Sequence, residues 1–326
     1  MWVLYGWFSG LMCVGSVFGA VTWAAWMQFL LAIFTIYSNT AGLTPAQAQS
    51  FAAQAQYWSA AFYVTYAIEF MCLSVAKLLV LDRMADFALA KGDGMKKRLS
   101  AGVRVVMAAV VLGNVVGLCA NVAAAVYIKE VGNLYMASSS AFAANNTDAG
   151  NNFINEAVQD VSVSSNAASV QQFCEVAVLL IIILAFAVVG IACARRVSSA
   201  LRHMNDEHVE AAGRQLQRQI VGTVAFVFVT FLLRAVFSVM NALANALQND
   251  DACPTNCDIP CNNMYTLIQN WLLFTPEFQL IVMLISSPLA LIVALWGMTS
   301  ERTLQHMRSS RGQMVAVSDR VELRTK

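Results

Sequence analysis

No charged residue occurs between Met1 and Ile68, and the rest of the chain returns repeatedly to long stretches with at most two charges. A hydrocarbon core about 30 Å thick is crossed by roughly 20 helical residues rising 1.5 Å each. Six stretches meet that length: 10–37, 57–81, 105–128, 173–194, 220–247 and 277–298. Inside lipid every backbone polar group must be satisfied within its own segment, so each stretch is expected to be a helix. The expected fold is all-α, a polytopic transmembrane helix bundle of six spans. Composition agrees: 59% of residues are hydrophobic and 12% charged, against about 45–50% and 25% in soluble domains. A net charge of +1 excludes a strongly basic nucleic-acid binder.

Basic residues set the orientation. Of 20 lysines and arginines, six lie in 82–104, five in 195–219 and six beyond 301, whereas the alternate connections hold only Lys129. Seventeen against one places the basic connections in the cytosol by the positive-inside rule. With six spans both termini are cytosolic. If the true start lies upstream, an added first helix makes seven and moves the N-terminus outside. The bundle is expected over 1–311, with outer loops at 38–56, 129–172 and 248–276 and a disordered cytosolic tail at 312–326.

The connections carry further signals. In 44–56, Thr44 suits an N-cap and Pro45 the first helical position, so this segment should extend the second helix outward. The loop 129–172 contains NNTDAGNN, read as a mobile tip, and Phe153, Ala157 and Val161 can prolong the fourth helix outward. Residues 198–218 read as a cytosolic helix linking the fourth and fifth spans. Asn145-Asn146-Thr147 is an N-glycosylation sequon on the outer side. Cys174 at the outer mouth of the fourth helix and Cys253, Cys257 and Cys261 in the last outer loop form a disulfide set with three possible pairings. Cys13, Cys72, Cys119 and Cys193 fall within spans as small packing residues.

Charges within spans are costly and mark candidate functional sites. Glu69 and Arg234 lie near the midpoints of the second and fifth spans, an expected interhelical ion pair serving as a register pin or a switch. Lys77, a turn from the cytosolic end, should carry its ammonium to the headgroups. Glu175 and Glu277 sit near the expected outer N-termini of their helices, where the helix dipole favours carboxylates. Glu277 is also a candidate pore or vestibule acid. Asn114, Gly117 and Asn121 share one face of the third helix, and Gly113/Gly117, Gly6/Gly10 and Gly15/Gly19 have the G-x-x-x-G spacing, all consistent with close helix packing. Pro288 should bend the sixth span. No catalytic or cofactor-binding pattern is present in the sequence, and the CPTNCDIPC run, whose alternative to disulfides is a metal site, has no histidine nearby, so neither an enzyme nor a cofactor is expected.

Asp82-Arg83-Met84, closing the second span, resembles the Asp-Arg-Tyr motif that closes the third helix of rhodopsin-like receptors; with one helix added at the start, the later loop order is similar too. That resemblance implies a seven-helix fold, a cytosolic switch at Arg83 with Asp82 beside it, an outer ligand and a cytosolic signalling partner. The sequence departs from the family in the last span, which has Ser287-Pro288 rather than Asn-Pro-x-x-Tyr, and it lacks the fifth-span proline motif. The leading expectation is a receptor or sensor at the plasma membrane. The alternatives are a cation channel, with Met264–Phe274 as a re-entrant segment before Glu277, a small-solute transporter or a structural membrane protein.

Overall fold

The computed structural model describes residues 2–38, 42–88, 94–201 and 207–248, all but a few of them helical. Five helices follow in chain order: α1 Trp2–Ser38, α2 Pro45–Ala88, α3 Gly94–Ala143, α4 Thr147–Leu201 and α5 Glu207–Gln248. The first four are long and apolar enough to cross a membrane, and α5 carries a shorter apolar stretch, Val224–Met240. The described part of the chain is thus all-helical and of membrane-protein character. The sixth stretch, 277–298, lies outside the described residues, as do Pro288, Glu277, the loop 249–276 with Cys253, Cys257 and Cys261, and the tail.

The helices are much longer than a bilayer needs. The 55 residues of α4 extend about 80 Å at 1.5 Å per residue. Residues 129–172, expected as a loop, are almost entirely helical: α3 runs on to Ala143 and α4 begins at Thr147. Within the NNTDAGNN stretch only the two asparagines at its start belong to a tight turn, 144–146, with defined hydrogen bonds, and the rest opens α4. Asn145 adopts φ 59°, Asn145 N–H donates to Phe142 O and Asn146 N–H to Ala141 O, the Schellman pattern that ends a helix. Asn146 then caps the next one, its Oδ1 accepting from Ala149 N–H at 3.1 Å. The 38–56 loop shrinks likewise. Thr44 and Gln47 form a reciprocal capping box, with Thr44 N–H donating to Gln47 Oε1 and Gln47 N–H to Thr44 Oγ1, and Pro45 opens α2 as its fixed φ allows. The linking helix expected at 198–218 is divided between the end of α4 and the start of α5.

Side-chain contacts give the register. On α1 and α2, Gly15 lies against Cys72 and Gly19 against Glu69, Thr22 Oγ1 bonds Thr65 Oγ1, and Trp26 packs on Phe62; the numbers run in opposite directions, so the pair is antiparallel. On α3 and α4, Gly113 faces Val178, Gly117 faces Cys174, and Ser164 Oγ bonds Ala124 O, again antiparallel. By contrast Tyr66 meets Glu175 and Met84 meets Cys193, so α2 and α4 run parallel. They form the centre, with α1 against α2, α3 beside both, and α5 against α4.

The main core gathers Phe70, Leu78 and Leu81 of α2, Val178, Leu179, Ile182 and Phe186 of α4, and Phe231 and Ala235 of α5. A smaller one, toward the hairpin turn, holds Ile128, Val131 and Leu134 with Ala157, flanked by Phe153 and Val161, as the outward continuation of the fourth helix required. Val14, Val17, Val21, Leu31 and Phe34 of α1 are exposed, the surface a helix offers to lipid. Of the cysteines within spans, Cys72 and Cys193 are buried while Cys13 and Cys119 are exposed.

Candidate functional site

Four ionisable side chains are buried together in the main core: Arg234 and Lys77 at 0% exposure, Glu175 at 2% and Glu69 at 6%. They come from α2, α4 and α5, and they interact electrostatically with one another. Two acids and two bases make the set formally neutral, which is the condition for keeping charges out of water.

Glu175 is the hub. Arg234 Nε lies 3.5 Å from its Oε1, and Ser238 Oγ donates to the same oxygen at 3.1 Å. Tyr66 Oη donates to Oε2 at 2.6 Å and Gln171 Nε2 at 3.2 Å. Helical spacing explains the convergence. Gln171 and Glu175 are four apart on α4, as are Arg234 and Ser238 on α5, so each pair stands on one face. Arg234 also lies over the Phe70 ring, its Cζ 5.6 Å from the centroid, a contact that stabilises a desolvated guanidinium.

The expected partner of Arg234 was Glu69. The structure instead gives Arg234 a close ion pair with Glu175, and packs the Glu69 carboxyl against Gly19 of α1, where a Cβ would stand 3.1 Å from its Cδ. Glu69 remains near enough to feel both Arg234 and Glu175. The sequence pattern sets Glu175 near the outer N-terminus of its helix, because the polar run before it does not read as a span. In fact α4 starts at Thr147, so Glu175 is deep within the helix and the dipole of its first turn is remote. The available signal was the absence of any other charge from Val161 to Ala194, which puts Glu175 well inside an uncharged segment.

Lys77 does not reach for the headgroups. Its side chain turns inward, with Nζ 4.6 Å from the Phe231 ring centroid and without a hydrogen-bond partner. Asn114 and Asn121 are buried, Asn121 Nδ2 donating across to Tyr63 O on α2 at 3.2 Å. Gly117 lets α4 approach at Cys174 and Gln171, so the polar face does act in packing. Gly15 and Gly19 also meet α2, whereas nothing stands within 4 Å of Gly6 or Gly10. Cys174 is a free thiol against Gly117, in the layer of the charge cluster rather than at a helix mouth. At the basic end of α2, Asp82 is half-buried, Arg83 exposed and Met84 buried. Asn145 is exposed at the turn. Among the described residues no three His, Cys, Asp or Glu side chains converge as a metal site.

Compared with family models, curated proteins and solved structures, the chain matches none.

Proposed function

We propose that the chain is a multi-pass membrane receptor or sensor that signals from its outer face to the cytosol, with the buried charge cluster as its switch. The observation that carries this reading is Arg234, paired with Glu175 while a second buried acid, Glu69, lies within electrostatic reach. One guanidinium facing two carboxylates has two pairings open to it, and a ligand that shifts α1 or α4 biases the choice. The parallel pair α2 and α4 runs unbroken from the hairpin end through the cluster to the basic end, so a displacement at one end reaches the other. In this reading the hairpin faces outward with Asn145 available for glycosylation, the basic end with Asp82 and Arg83 faces a cytosolic partner, 277–298 is the sixth span, and the plasma membrane is the site of action.

The test is expression of the full chain in cells, with an epitope at 91–97 and parallel recording of whole-cell current and second-messenger output. The epitope should stain only after permeabilisation. Glu175→Gln and Glu69→Gln should shift basal messenger output in opposite directions at equal surface expression, with no current. A current abolished by these variants would instead establish a channel, and an epitope stained on intact cells would overturn the topology.

A further inference from the structure

The pocket where α2, α3 and α4 meet is lined by Phe70, Asn114, Gly117, Gln171, Cys174 and Glu175, among others. Gly113 and Gly117 line it where α3 and α4 come together, and a Cβ on Gly117 would meet Cys174 and Gln171 there at 3.6 Å. Asn114 is 6% exposed. Its Nδ2 donates to Val110 O at 2.7 Å, while Oδ1 has no hydrogen-bond partner. The amide orientation is fixed by chemistry, since turning it over would set two acceptor oxygens face to face. A buried acceptor is thereby left in need of a donor.

We propose that this pocket is a binding site for one ordered water molecule, which donates to Asn114 Oδ1 and to the Glu175 carboxylate and accepts the second N–H of Gln171. Size supports water: about 10 Å³ open to its centre is roughly one molecule's requirement. Chemistry supports it too. A bound cation would add charge beside Arg234, already 3.5 Å from Glu175, and Glu175 is the one acid among the lining residues. An apolar occupant would leave Asn114 Oδ1 unpaired. The site stands whether or not the cluster is a switch. It ties α3, which supplies no member of the buried charge cluster, to the charged layer of α4.

Solid-state NMR of the full chain in lipid nanodiscs, with asparagine side chains labelled with ¹⁵N, tests this through magnetisation transfer from water. Exposed Asn145 is the positive control, and Asn114→Leu assigns the Asn114 signal by its loss. The Asn114 carboxamide should receive magnetisation alongside Asn145 although it is buried at membrane depth. Gly117→Ala, whose Cβ would sit 3.6 Å from Cys174 Cβ and Gln171 Cγ in ordinary contact, should fill the space and abolish that transfer. Absence of transfer to Asn114 in the unsubstituted chain overturns the proposal whether or not the variant folds. So does transfer unchanged in a folded Gly117→Ala.

Discussion

Around Glu175, α2, α4 and α5 meet over four ionisable groups set among phenylalanines and branched aliphatics. Toward the hairpin turn the same α2 and α4 pack with α3 over a smaller apolar core of Ile128, Val131, Leu134 and Ala157, with no charged member, and neutral hydrogen bonds join the helices around it. There Ser138 Oγ bonds Gly150 O, Ser139 Oγ bonds Ala46 O, and Tyr57 Oη bonds Asn133 Oδ1. In lipid, apolar side chains gain nothing from leaving their surroundings, so polar contacts and close packing hold helices together. The same continuous helices thus cohere in two ways, through a neutralised charge cluster at one level and through a smaller apolar core edged by neutral hydrogen bonds at the other.

The largest effect should come from breaking the charge layer on one side only. Arg234→Met leaves Glu175 buried without its cation and should cost about 3–5 kcal/mol, whereas Arg234→Met with Glu175→Met together should cost much less. A double-mutant cycle on unfolding of the full chain in mixed micelles measures the coupling. Additive losses would mean that the two side chains do not hold each other, and the contrast between the two halves would fail.

Helical class and several span positions were legible from charge-free length alone, and the Thr44-Pro45 start was legible from local cap chemistry. What escaped was depth. Residues 161–172 carry Ser, Asn and Gln, and a hydropathy reading treats such residues as loop. They are helical, with Ser164 Oγ bonded to Ala124 O on α3, and cross-helix partners are not visible to a local pattern. The Arg234–Glu175 contact between α5 and α4 is of the same kind, invisible to a local pattern, while Glu69 stays within electrostatic reach of Arg234. For Lys77 snorkelling is the local default, and its complete burial beside the Phe231 ring shows that it turns inward instead.

Next in size is the packing that brings α3 to α4. A Cβ on Gly113 would lie 2.6 Å from Val178 Cγ2, so Gly113→Ala should destabilise by about 1–3 kcal/mol through overpacking. Gly6→Ala meets nothing within 4 Å and should be neutral or slightly stabilising, since alanine favours a helix over glycine by up to about 1 kcal/mol. Thermal denaturation of both variants in nanodiscs separates them. Equal shifts would show that α3 and α4 are not in contact there. In the same helix pair, closer to the turn, Ser164→Ala removes one bond to Ala124 O, with Oγ–O 2.9 Å, and should cost about 0.5–1.5 kcal/mol. Hydrogen exchange should then rise in 120–128 and 160–168 and stay unchanged around Glu175; a rise at Glu175 as well would mean that the two halves melt as one.

The smallest effect concerns the turn that joins α3 to α4. Asn145 holds φ 59°, a left-handed conformation that glycine adopts freely and asparagine tolerates. Asn145→Gly should therefore leave stability within a few tenths of a kcal/mol, because the backbone bonds of the Schellman turn and the Asn146 cap are all retained. Asn145→Val, with a branched Cβ in that region, should cost about 1–2 kcal/mol. Both substitutions destroy the sequon, so neither variant can carry a glycan at this position. If unsubstituted chain from a eukaryotic host loses mass on glycosidase treatment and Asn145→Gly does not, the hairpin lies on the outer side and the turn geometry is separable from the modification. A stability loss shared by the glycine and valine variants would instead assign the role to the sugar and not to the backbone.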